Sequence, residues 1–94
     1  PTVILKANNS DGPITVNPGS SVTLSWLTTN NPTSCTPSGG WSGSKNVGGG
    51  NYLVNNLTTH KTYTISCSNS AGSDSDSVLV QVLNCLPAPP LPPL

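Results

Sequence analysis

Alternation of apolar and polar residues is the feature that most limits how this chain can fold. It is clearest in three runs, which are Val22, Leu24 and Trp26; Tyr63, Ile65 and Cys67; and Val78, Val80 and Val82. Because successive side chains of a β-strand point to opposite faces, each run can bury one face and leave the other in solvent. No segment carries the 3.6-residue apolar repeat of an amphipathic helix, so the sequence predicts an all-β domain.

Shorter extended segments and turn signals complete the predicted architecture. Four such segments bring the expected number of strands to about seven: residues 2–6, 14–16, 34–36 and 52–54. Clusters rich in Gly, Pro and Asn, such as residues 17–19, separate the strands. This spacing predicts a two-sheet antiparallel sandwich over residues 1–84. The predicted core includes Val22, Leu24, Trp26, Tyr63 and Ile65.

The C-terminal segment has a different composition. Residues 85–94 contain five prolines, which lack a backbone N–H and favour an extended polyproline II conformation. We therefore expect a tail or linker outside the sheets. It either makes a contact with a neighbouring domain or chain, or is an idle linker. The candidate contact residues are Cys85, Leu86, Leu91 and Leu94.

Low charge excludes several classes of function. Charged residues make up 6% of the chain, and three Lys or Arg balance three Asp or Glu, whereas globular domains have about 25% charged residues. Without a basic patch, no nucleic-acid partner is expected. The apolar runs are too short for membrane insertion. One histidine and three acids give little material for a catalytic or metal site, so we expect neither an enzyme nor a cofactor.

Three segments carry a more specific pattern. They are PGSSVTLSW at residues 18–26, SCTPSGGWSGSK at residues 34–45, and LTTHKTYTISCSNSAG at residues 57–72. Together they resemble the immunoglobulin-like repeats of bacterial secreted and cell-surface proteins. The resemblance covers residues 1–83 and implies an immunoglobulin-like sandwich, without catalytic residues, that serves as an extracellular module. Trp26 departs from antibody domains, which carry a cysteine on that strand.

The three cysteines admit at most one internal pair. The resemblance implies a disulfide between Cys35 and Cys67, which leaves Cys85 over. Two free buried thiols, or part of a metal site, are the alternatives. A disulfide that closes a loop of about thirty residues would stabilise the fold by about 3–4.7 kcal/mol and would indicate an oxidising, extracellular or cell-surface setting.

Two aromatic residues allow more than one interpretation. Trp41 lies in a loop of mostly Gly and Ser, residues 38–50, where alternation cannot place it. It is either an exposed contact for a sugar or protein partner, or a lid that folds back over the end of the sandwich. Tyr63 follows Leu57 by six residues, which resembles a tyrosine corner whose hydroxyl bonds to nearby backbone.

The remaining polar candidates have weaker signals. Asp74 and Asp76 share one face of a strand and are expected to face solvent, the alternative being a calcium site completed by Asp11. His60 is expected to be a solvated turn residue. Asn8 and Asn56 each begin an N-glycosylation acceptor pattern, which chance produces readily in a chain this rich in Asn, Ser and Thr.

The expected function is structural. We expect a spacer or adhesive module of a secreted or surface protein, in contact with neighbouring domains or identical subunits, or with a surface protein or glycan. One alternative is a subunit of a self-assembling filament or pilus, which needs a self-complementary contact such as an open sheet edge. The other is a carbohydrate-binding module that uses Trp41.

Overall fold

The computed structural model describes residues 1–83, which form two packed β-sheets without a helix in that range. The strands are β1 (Thr2–Ala7), β2 (Ile14–Val16), β3 (Ser20–Thr29), β4 (Ser34–Gly39), β5 (Gly50–Leu57), β6 (Lys61–Asn69) and β7 (Gly72–Val82). The predicted all-β class is confirmed, and each of the seven expected segments lies in a strand. The predictions for Cys85, Leu86, Leu91 and Leu94 lie outside the described residues.

The strands divide into a three-stranded sheet, β1-β3-β5, and a four-stranded sheet, β2-β7-β6-β4. The expectation of wholly antiparallel sheets is wrong at one pair, because β2 runs parallel to β7 with Ile14 opposite Val80. Between residues 8 and 13 the chain crosses from the first sheet to the second through a tight turn, in which Ala7 and Ser10 exchange backbone hydrogen bonds. Beyond that turn β2 runs alongside β7 and does not form a hairpin with β1.

The core lies between the two sheets and follows the alternation of the sequence. In β3 the residues at positions 22, 24 and 26 are buried, while residues 23 and 27 on the opposite face are exposed. Fully burying an aliphatic side chain of this size stabilises the fold by about 1.5–3 kcal/mol. All five predicted core residues are buried: Val22, Leu24, Trp26, Tyr63 and Ile65.

The chain enters the sandwich at one end and leaves it at the other. Thr2 pairs with Thr29, which lies next to the β3–β4 turn. Carbonyl groups of that turn accept hydrogen bonds from the side-chain amide of Asn69 at the end of β6. Val82 lies near the start of β6, where its N–H donates to His60. Strand β6 has nine residues. At about 3.4 Å per residue, the entry and exit points are separated by about 27 Å along it.

Candidate functional site

A disulfide joins Cys35 of β4 to Cys67 of β6, which confirms the predicted pairing. The two residues are directly opposite each other in the antiparallel ladder, and their Cα atoms are 4.1 Å apart. This is close to the separation of the closely spaced type of antiparallel pair. Both cysteines are buried. A buried disulfide within one chain indicates that the protein matures in an oxidising environment.

Trp41 is the centre of a cluster that contains all four aromatic residues of the chain. Its ring centroid lies 5.6 Å from that of Trp26, 5.8 Å from that of Tyr52 and 6.0 Å from that of Tyr63, each in edge-to-face geometry. The indole Nε1 donates a 2.8 Å hydrogen bond to the carbonyl of Thr64. Because these partners come from both sheets, Trp41 closes the gap between the edge strands β4 and β5.

The structure corrects the expectation that Trp41 is an exposed contact. Only 6% of the residue is accessible to solvent, too little for a sugar to stack on the indole. The folded-back interpretation describes it better, although Trp41 fills the side of the sandwich between the sheets. Two glycines make room for this packing, since a Cβ at Gly40 would lie 2.8 Å from the ring of Tyr63, and one at Gly50 would lie 3.1 Å from the ring of Trp26.

Lys45 covers the outer side of this cluster, a role that the sequence analysis missed. Its Nζ lies 4.6 Å from the ring centroid of Trp41 and 4.2 Å from that of Tyr52, within the range of cation–π attraction. The same ammonium donates a hydrogen bond to the carbonyl of Ser42. Its backbone N–H donates to the carbonyl of Cys35, which ties the loop to the edge of β4. The available signal was a single lysine in an otherwise uncharged loop next to a tryptophan.

A shallow cleft of about 320 Å³ lies between the β3–β4 turn and the end of the same loop. Thr28 Oγ1 donates a 2.7 Å hydrogen bond to the carbonyl of Val47 at its floor. Trp26 Nε1 donates a similar bond to the carbonyl of Asn46. The cleft is lined by hydroxyl, amide, backbone and apolar groups, so it offers hydrogen bonds but no acid or base.

The hydroxyl of Tyr63 is buried and has no hydrogen-bond partner among residues 1–83. The expected tyrosine-corner bond to nearby backbone is therefore wrong. Burial, and to a smaller extent the neighbouring Tyr52, raise the pKa of Tyr63 above its ordinary value of 10.0. The ring packs edge-to-face against Trp41, and the hydroxyl lies in the interior without a polar partner among residues 1–83.

Asp74 and Asp76 close the free edge of β1, and we call this pair the carboxylate clamp. Asp74 Oδ2 accepts a 2.9 Å hydrogen bond from the N–H of Val3. Asp76 Oδ2 accepts a 2.7 Å hydrogen bond from the N–H of Leu5. Hydrogen bonds to a charged group are roughly twice as strong as neutral ones. The clamp thus attaches β1 of one sheet to β7 of the other through side chains.

The clamp revises the expectations for the acidic residues. Asp74 and Asp76 share a face, as expected, but they bind backbone N–H groups and are not purely solvent-facing. Asp11 lies elsewhere, 3.8 Å from the ammonium of Lys6. Within residues 1–83 no group of three or more His, Cys, Asp or Glu side chains is close enough to hold a metal ion.

His60 is exposed, as expected of a turn residue, but its ring also takes part in the sheet. Its Nδ1 accepts a 3.0 Å hydrogen bond from the N–H of Val82. The backbone pairing of β6 with β7 ends at Lys61 and Val80. The imidazole therefore accepts a hydrogen bond from the N–H of a β7 residue that lies past the last backbone pair with β6.

The two candidate glycosylation sites both have left-handed backbone, with φ of 49° at Asn8 and 54° at Asn56. Asparagine adopts this conformation more readily than most residues. The side-chain Oδ1 of Asn8 accepts a hydrogen bond from the N–H of Thr23, whereas Asn56 is exposed in β5.

Comparison with known proteins leaves the family of the chain as a prediction. No protein-family model matches it, and comparison with curated proteins and with solved structures finds no match. No helix within residues 1–83 is long and apolar enough to cross a membrane. The resemblance to bacterial immunoglobulin-like repeats thus stays a prediction that rests on three sequence segments.

Proposed function

We propose that the chain is an immunoglobulin-like module of a secreted or cell-surface protein and that it acts as a spacer between neighbouring domains. Strand order supports the immunoglobulin-like assignment. The sheet β1-β3-β5 corresponds to strands A, B and E of that fold, and β4-β6-β7 corresponds to C, F and G. The loop that carries Trp41 takes the place of strand D.

The position of the disulfide is consistent with a variant of that fold. Antibody domains place a tryptophan on strand C and join strands B and F by a disulfide. In this chain Trp26 lies on the strand that corresponds to B, and the disulfide joins the strands that correspond to C and F. The buried bond supports a role outside reducing compartments.

The observation that carries the spacer role is that entry and exit lie at opposite ends of the sandwich. With Thr2 beside the β3–β4 turn at one end and Val82 beside His60 at the other, successive copies would line up head to tail. Each module would then lengthen the parent protein by the length of its own long axis. A module whose ends were adjacent would instead project sideways and add little length.

The test is a tandem fusion of two full chains, joined through their own residues 84–94. Small-angle X-ray scattering, extrapolated to zero concentration, should give a maximum dimension close to twice that of the single chain. A tandem about as long as a single chain would show that the modules fold back on each other and would refute the spacer role. The single full chain is the control.

The alternatives differ in what they require of the surface. A carbohydrate-binding module loses its predicted platform, because Trp41 is buried. A self-assembling filament needs contacts that continue indefinitely from copy to copy. Fibres in concentrated solutions of the full chain would favour that alternative.

A further inference from the structure

The outward edge of β5 carries backbone groups that nothing in residues 1–83 satisfies. The N–H of Asn8 donates to the carbonyl of Thr23 and continues the β1–β3 register, in which hydrogen-bonded pairs recur at every second residue. The odd-numbered residues of β3 therefore bond to β1, and the even-numbered ones bond to β5. In β5 this leaves Asn51 and Leu53 with N–H and C=O groups that point away from the sheet, and no hydrogen bond within residues 1–83 reaches them.

The other three sheet edges are blocked or short. Along β1 the carboxylate clamp takes two outward N–H groups, and Ala7 exchanges backbone hydrogen bonds with Ser10. In β4, Pro37 has no N–H, and the carbonyl of Cys35 accepts from the N–H of Lys45. Strand β2 has three residues. Blocked and very short edges are the devices by which proteins avoid strand addition, so β5 stands out by contrast.

The sequence of β5 suits pairing with a copy of itself. A two-fold axis places the strand opposite itself, and like charges directly opposite each other would be destabilising. Residues 50–57 contain no charged side chain, and the whole chain has a formal net charge of zero. The ammonium of Lys45 lies over the ring of Tyr52, so a two-fold axis near Tyr52 brings two like charges toward each other and keeps the association weak. Leu53 is 55% exposed and Tyr52 is 43% exposed, so pairing would also bury apolar surface.

We propose that β5 pairs antiparallel with β5 of a second copy of this chain, about a two-fold axis at Tyr52. This register uses Gly50–Val54, the regular stretch that precedes the bulge opposite Ser20 and Val22. Asn51 of each copy then lies opposite Leu53 of the other, and each of these pairs exchanges both of its hydrogen bonds.

A second copy suits the edge better than the C-terminal segment of the same chain does. Strand addition needs an N–H donor at every second residue, and residues 84–94 include five prolines, which supply none. A two-fold contact uses the same surface on both partners and closes at two copies, so it produces a dimer and not a filament. This lateral contact stands on edge geometry alone and is independent of the spacer role.

Sedimentation equilibrium on the full chain, reduced at Cys85 and alkylated there, tests the proposal. Pairing over five residues buries little area, so we expect weak association that appears between about 10 μM and about 2 mM. Over that range the average mass should rise from 9.6 kDa toward twice that value. Leu53→Lys, which brings like charges close to the axis, should weaken association at least tenfold. Leu27→Lys is the matched control, because Leu27 is 70% exposed in β3, away from the edge.

Each outcome either supports or overturns the proposal. Loss of association in Leu53→Lys but not in Leu27→Lys supports it, provided that circular dichroism shows both variants folded. A wild-type chain that stays monomeric at about 2 mM overturns it, as does equal weakening by both substitutions. If only a chain truncated after Asn84 dimerises, the tail and not a second copy occupies the edge, and the proposal is again overturned.

Discussion

The two edge strands of the three-stranded sheet are held in different ways. Strand β1 has its outward N–H groups bound by the carboxylate clamp, which ties it to the other sheet through charged side chains. The outward edge of β5 has no hydrogen-bond partner within residues 1–83. Its Tyr52 packs against the ring of Trp41 and the ammonium of Lys45, and this aromatic contact anchors the strand. A polar clamp satisfies the backbone and also blocks strand addition. An aromatic anchor stabilises the strand while leaving its backbone available to a partner.

The largest expected effect comes from removing the aromatic anchor of β5. Trp41→Ala should destabilise the domain by about 3–5 kcal/mol, as expected for a buried tryptophan, because it removes the contacts to both sheets and the hydrogen bond to Thr64. An exposed loop position would instead imply a small loss. Denaturant unfolding checks it, with Trp26→Ala as the reference. A loss below about 1 kcal/mol would show that the loop packs loosely in solution.

The next effect comes from removing the clamp. The double substitution Asp74→Ser/Asp76→Ser should destabilise the domain by about 2–4 kcal/mol, since each carboxylate accepts a charge-assisted hydrogen bond from an otherwise unpaired N–H. It should also create a second open edge and thereby raise self-association beyond that of the wild-type chain.

Asp11→Ser is the control for the clamp, because Asp11 is exposed and its ion pair with the ammonium of Lys6 is 3.8 Å long. A surface pair of this kind contributes about 0–1 kcal/mol. If Asp11→Ser and the double variant lose similar stability in denaturant unfolding, the clamp is no stronger than a surface ion pair, and the contrast between the edges fails.

A smaller effect is expected at the hydroxyl of Tyr63, which lies beneath Trp41 without a partner in residues 1–83. Tyr63→Phe removes an unpaired buried polar group and should leave stability unchanged or raise it by up to about 1 kcal/mol. A loss of more than about 1 kcal/mol in denaturant unfolding would indicate that the hydroxyl has a partner in solution.

The pH dependence of unfolding gives Tyr63 a second signature. Its pKa is raised in the folded state, so above pH 10.0 the unfolded chain has lost the phenolic proton that the folded chain still holds. Stability is therefore intact below that pH and falls as the pH rises through the raised pKa. Tyr63→Phe should show a smaller alkaline loss than the wild-type chain. Identical alkaline profiles would contradict the raised pKa.

The sequence predicted what depends on local periodicity. Alternation, together with short extended segments bounded by turn signals, located all seven strands, and the resemblance supplied the Cys35–Cys67 pair. Trp41 could not be placed, because it lies in a loop and alternation applies only within strands. Asp74 and Asp76 were correctly assigned to one face, but their partners, Val3 and Leu5, are more than seventy residues away in the chain. Contacts of that range depend on how the sheets stack, which local patterns do not record.

Amide hydrogen exchange of the dilute, monomeric chain tests the contrast between the two edges most directly. We predict that the N–H groups of Val3 and Leu5, bound by the clamp, exchange at least a hundredfold more slowly than those of Asn51 and Leu53, which have no partner within residues 1–83. Nuclear magnetic resonance resolves these four amides individually. Equal protection at both edges, or faster exchange at Val3 and Leu5, would contradict the account.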